Sequence, residues 1–76
     1  VDFLIERAGT LWPLEFKSRA TFQREWLNGL HNWMRYAAGA KRGEPMLISA
    51  APGNQWIDGV MAANWRDAAS MLDDTR

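Results

Sequence analysis

The chain has 76 residues, and its nine Lys/Arg exactly offset nine Asp/Glu, so no global field draws it to nucleic acid and any such affinity has to come from local placement. It has no cysteine, which excludes a disulfide framework and a thiolate-bound metal. No apolar stretch approaches the ~20 residues that a bilayer-spanning helix needs, so we expect a cytoplasmic protein with no membrane partner.

The first element is a β-hairpin. Two apolar segments, Val1–Ile5 and Trp12–Ser18, flank Ala8-Gly9, and strands over residues 1–7 and 10–18 are predicted. If Ala8 and Gly9 form the loop, antiparallel pairing sets Arg7 opposite Thr10 and, further along, Asp2 opposite Glu15. A three-residue loop with a bulge at Gly9 would set Asp2 opposite Leu14 instead.

Thr21 is then the expected N-cap of a helix. Trp26, Leu27, Leu30, Trp33, Met34 and Ala37 recur at helical spacing and give it one apolar stripe, with a stop at Gly39. Gly29 inside that helix costs ~1 kcal/mol relative to Ala, which points to close packing at that position.

A polar loop, Lys41–Pro45, leads to the strand Met46–Ala50. Strand, helix and strand in succession form a crossover, which makes the two strands parallel. Pro52-Gly53-Asn54 turns the chain into a short edge strand, Trp56–Met61. Asn64 with Asp67 three residues later reads as a capping box opening a last helix to about Leu72. The expected fold is α/β: an N-terminal hairpin, a crossover helix, a mixed sheet of about four strands and a short C-terminal helix.

The chemistry concentrates in the hairpin. Side chains two apart on a strand share a face, so Glu15 and Lys17 do. In the two-residue-loop register Asp2 joins them, and directly opposed carboxylates destabilise a pair by ~0.2–1 kcal/mol unless a cation lies between them. Spacing alone also suits a plain solvated face with Lys17 paired to a carboxylate.

Val-Asp-Phe-Leu-Ile-Glu, a glycine turn, and Leu-Trp-Pro-Leu-Glu-Phe-Lys-Ser together resemble the C-terminal domain of unknown function of prokaryotic AAA+-type ATPases, a member of the PD-(D/E)-x-K nuclease-like, restriction-endonuclease-like group. Gly59-Val60-Met61-Ala62-Ala63-Asn64-Trp65 is similar to a later stretch of the same family, so the resemblance covers most of the chain. It implies a restriction-endonuclease-like core in which Asp2 and Glu15, with the Phe16 carbonyl, hold Mg²⁺ or Mn²⁺. Lys17 then orients the attacking water or neutralises charge on the phosphate. Asp2, Glu15 and Lys17 are thus the expected catalytic residues. Two departures bear on activity: the group usually draws a further acidic residue from a helix ahead of the first strand, and relatives vary at the motif positions.

Val1 lies inside the first apolar run and is not a Met, so residues 1–76 read as one truncated nuclease-like domain, the C-terminal part of a longer chain. No Gly-rich phosphate loop is present, which puts ATP in an upstream domain. As a fragment it should show little activity. Its first strand, lacking a neighbour, should pair edge to edge into a homodimer.

Ser18, Arg19 and Arg24 follow the motif and are candidate nucleic-acid contacts, DNA above all, although a solvated strand end accounts for them too. Lys41 and Arg42 read as loop charges, His31 as a partly exposed helix position, and Glu6 as the partner of a nearby base. Trp26 and Trp33 belong to the helix stripe and Trp12 to the sheet. Trp56 and Trp65 pack, stack a base or seat a partner. Two further functions stay open beside the nuclease: a catalytically silent module that docks the ATPase to a protein or DNA, and a helix-binding adaptor built on the tryptophan-rich surface.

Overall fold

The computed structural model describes residues 1–73. In chain order these form β1 (Phe3–Arg7), β2 (Thr10–Phe16), a 3₁₀ turn (Arg24–Leu27), α1 (Asn28–Tyr36), β3 (Met46–Ser49), β4 (Gln55–Ile57), β5 (Val60–Asn64) and α2 (Trp65–Asp73). The five strands make one mixed sheet in the order β1-β2-β3-β5-β4. No described helix is long and apolar enough to cross a membrane.

The hairpin adopts the two-residue loop. Arg7 pairs with Thr10 and Phe3 with Leu14, and Ala8 (φ 51°) and Gly9 (φ 83°) are both left-handed, the pattern of a type I′ turn whose twist matches the strands it joins. Glu6 closes this turn by accepting the Gly9 N–H at 2.7 Å, rather than pairing with a base as expected. The crossover is also as read, with β2 and β3 parallel. β3 runs parallel to β5 as well, and all four of its residues are buried, as befits a strand covered on both faces.

Pro13 interrupts the β2–β3 ladder. Leu11 bridges Arg42 and Leu14 pairs with Met46, and between them Pro13 has no N–H to offer.

The sheet has five strands rather than about four, because the segment Trp56–Met61 is not one strand. Asp58 (φ 49°) and Gly59 (φ 81°) form a second left-handed pair, which folds β4 back onto β5 antiparallel. The helix begins later than Thr21, an exposed residue in a bend. Phe22 and Trp26 pack at the margin of a cluster of Leu27, Leu30, Leu47 and Val60, and the chain reaches α1 through the 3₁₀ turn, with Gln23 at its start and no side-chain cap. α1 ends at Tyr36, before Gly39.

A second cluster, of Leu14, Met46, Ile48, Ala63 and Ala68, occupies the opposite face under α2, with Met71 and Leu72 at its margin. Leu47 and its neighbours Met46 and Ile48 thus serve different faces, as the two-residue period of a strand requires. Asn64 caps α2, its Oδ1 accepting the Arg66 N–H at 2.9 Å. The expected box with Asp67 is replaced. Asn54 bridges the two, accepting the Asn64 N–H through Oδ1 at 2.8 Å and donating from Nδ2 to Asp67 at 2.9 Å.

Candidate metal and phosphate site

β2 ends with Glu15 and Lys17 on the α1 face and Phe16 on the other, where its ring meets Phe3 edge-on at 5.4 Å. The strand alignment continues past Phe16, since the Lys17 N–H donates to the Ile48 carbonyl at 2.9 Å. Lys17 Nζ consequently lies 3.6 Å from Glu15 Oε2, bringing together the two residues of the Glu-x-Lys motif.

Glu15 is 8% exposed, a position where carboxylates are rarely found without partners. α1 covers it through Gly29: a Cβ on that glycine would stand 3.4 Å from Glu15 Oε1. This is the close packing that the mid-helix glycine foretold. Among the described residues Oε1 accepts no hydrogen bond, and the Val1 backbone nitrogen lies 3.1 Å away. A buried carboxylate oxygen without a hydrogen bond needs a partner, which a cation can supply.

Asp2 takes a different position from the expected one. The regular ladder stops at Phe3–Leu14. The Asp2 N–H turns to the Leu14 carbonyl at 3.0 Å, and Asp2 Oδ2 accepts the Phe16 N–H at 2.8 Å. Asp2 thus caps the edge of β2 that β1 leaves open, instead of standing directly across from Glu15. Its carboxylate sits on the backbone between Glu15 and Lys17, and among the described residues no hydrogen bond or ion pair joins it to either side chain. The Phe16 carbonyl leaves the strand on the same edge as the Phe16 N–H, beside Asp2.

Among the described residues, no group of three or more His, Cys, Asp or Glu side chains is arranged to hold a metal. Asp2, Glu15 and the Phe16 carbonyl are the hard oxygen donors at this strand end, the type of donor that Mg²⁺ takes, usually one or two carboxylates with water and phosphate oxygens completing its shell.

The outer candidates divide. Ser18 lines a cleft together with Phe16, Lys17 and Trp65. Arg19 is exposed and anchors the loop through its carbonyl, which accepts the Ala50 N–H at 3.2 Å. Arg24 is paired with Asp58 in the β4–β5 turn, so its charge is engaged there rather than at the motif. His31, half-buried, places Nε2 2.9 Å from the Asp58 carbonyl. Arg42 is more than a loop charge: it donates to the Met34 carbonyl near the C-terminal end of α1, where a cation is favoured. Arg66, which the sequence reading passed over, stacks its guanidinium on Trp65 at 5.2 Å; adjacency to an exposed tryptophan was its only signal.

No family model matches the chain, and neither the curated proteins nor the solved structures compared with it give a match.

Proposed function

We propose that this chain is a nuclease-like domain with a restriction-endonuclease-like core, the C-terminal part of an AAA+-type ATP-binding protein, and that it serves metal-dependent phosphodiester hydrolysis on DNA. The observation that carries this reading is the Glu15 carboxylate: buried beneath Gly29, with Oε1 accepting no hydrogen bond and Oε2 3.6 Å from Lys17 Nζ. Asp2 and the Phe16 carbonyl flank it on the open edge of β2.

Mg²⁺ or Mn²⁺, held by Asp2, Glu15 and the Phe16 carbonyl, would supply Lewis-acid polarisation of a phosphate oxygen. The chain's own part is to fix those donors on a strand end and to keep Glu15 out of water. Lys17 holds a positive charge where the phosphate gains negative charge, and preorganised charge of this kind is worth more where water is excluded. ATP belongs to a domain upstream of Val1. β1 is the outermost strand on its side of the sheet among the described residues, with Phe3 61% exposed on it, which favours pairing with a second copy.

Calorimetric titration of Mn²⁺ tests the reading. The parent chain should bind, and Asp2→Ala and Glu15→Gln should each weaken binding at least tenfold while retaining the circular dichroism of the fold. Equal Mn²⁺ binding by all three, or none by the parent, would overturn it and leave a silent docking module as the function.

A further inference from the structure

A cleft of about 510 Å³ opens where β2 and β3 end, and Phe16, Lys17, Ser18, Ser49 and Trp65 are among its walls. Ligands of open α/β sheets bind just beyond the carboxyl ends of parallel strands, and β2 and β3 are such a pair. Trp65 is 57% exposed and Phe16 44% exposed. Leaving a large aromatic surface in water at the first position of α2 forgoes its burial, so packing does not explain it. The Arg66 guanidinium over the Trp65 ring, 5.2 Å from its centroid, steadies the indole and adds a positive charge at the rim.

Lys17 borders both regions: it is among the residues that line this cleft, and its Nζ lies 3.6 Å from Glu15 Oε2. No acidic side chain lines the cleft among the described residues. An exposed indole, an ammonium and a serine hydroxyl around one opening match a nucleotide: a flat base for the ring and a phosphate for the lysine and the hydroxyl. Trp56 differs. It lines an apolar cavity of about 170 Å³ with three methionines and Glu44, where no cation is present.

We infer that the cleft binds single-stranded nucleic acid, with an unstacked base on Trp65 and the adjoining phosphate on Lys17 and Ser18, which presents the strand to Glu15. A paired base keeps its faces inside the stack and offers none to an indole. This rests on the reading above and assigns its substrate as a single strand rather than a duplex.

Fluorescence anisotropy with a fluorescein-labelled deoxyoligonucleotide, single-stranded and as its duplex, tests it on the 76-residue chain. The single strand should bind more tightly than the duplex. Trp65→Ala should weaken binding about tenfold, within the range for losing one base–aromatic stack, Trp65→Phe should restore most of it, and Trp56→Ala should change nothing. Duplex binding as tight as single-strand binding, or Trp65→Ala binding like the parent, overturns the inference.

The same proteins titrated with Mn²⁺ separate the two readings. Carboxylate-dependent Mn²⁺ binding without a Trp65 effect removes the cleft and keeps the metal site. A Trp65 effect without carboxylate-dependent Mn²⁺ binding upholds the cleft as a strand-binding surface and removes the metal site.

Discussion

Gly29 and Glu15 meet across the helix–sheet interface with room for a methyl group and no more: a Cβ on the glycine would lie 3.4 Å from Oε1 and 3.6 Å from the Val1 nitrogen. Gly29→Ala should fit at ordinary contact distance and gain up to about 1 kcal/mol from helix propensity. Gly29→Leu, which has to drive α1 off the sheet or displace the carboxylate, should lose about 1–3 kcal/mol. Melting temperatures check the stabilities, and Mn²⁺ titration should show weaker binding for the leucine variant alone.

Lys17 is expected to matter for chemistry far more than for folding. Its side chain is 36% exposed, and a partly solvated ion pair contributes about 0–1 kcal/mol. Lys17→Ala should shift the urea midpoint little, while Mn²⁺-dependent cleavage of DNA by the longer protein proposed to carry this domain should fall at least a hundredfold. Equal cleavage by parent and variant would show that the ammonium plays no part in the reaction.

Trp12 depends on a glycine of the loop before β3. A Cβ at Gly43 would stand 2.1 Å from the indole, closer than atoms can approach, so the ring or the loop has to shift. Gly43→Ala should destabilise by about 1–3 kcal/mol, the cost of overpacking. Combined with Trp12→Leu, most of that loss should vanish, and a double-mutant cycle in urea measures the coupling.

Ala8 carries a left-handed backbone, φ 51°, at the first position of the β1–β2 turn. A side chain without a local hydrogen bond is poorly suited there. Ala8→Asn should raise stability by about 0.5–1 kcal/mol, since Asn-Gly is the favoured pair for this turn. Thermal unfolding shows it as a higher midpoint.

Asn64 holds three partners: it caps Arg66 N–H, donates to the Ala51 carbonyl and gives its own N–H to Asn54. Asn64→Ala should cost about 1 kcal/mol through the lost cap, and amide exchange should quicken in the first turn of α2 and at Ala51.

Much of this architecture is written locally. The hairpin, the crossover helix stripe, the buried β3 run and the Asn64 cap each depend on neighbours a few residues away, and each was readable. The turn at Asp58-Gly59 carries a stronger signal than Ala8-Gly9, yet the apolar residues on both sides of it blend into one apparent strand. Thr21 had the chemistry of a cap, but the packing of Phe22 and Trp26 against the cluster that holds Leu27, Leu30, Leu47 and Val60 sets where α1 begins.

The site was legible to a similar depth. Strand alternation alone puts Glu15 and Lys17 on one face. Asp2 escaped that rule because its own carboxylate competes for the Phe16 N–H and draws it off the ladder. Gly29 announced that something lay close, without saying what, since its contact with Glu15 joins elements fourteen positions apart. Trp65 and Lys17 border one cleft from segments still farther apart, and neither segment marks it.

Both outermost described strands are tied to their neighbours by two-residue turns, while in the middle of the sheet β2 reaches β3 only through the α1 crossover, and β3 and β5 are separated in sequence by β4. Hairpins close in about 1–10 μs, and pairings between distant segments must first overcome loop entropy. The kinetic expectation is two preformed flanks that dock along β3, so substitutions at Leu47 should slow refolding, whereas substitutions in α2 should chiefly hasten unfolding.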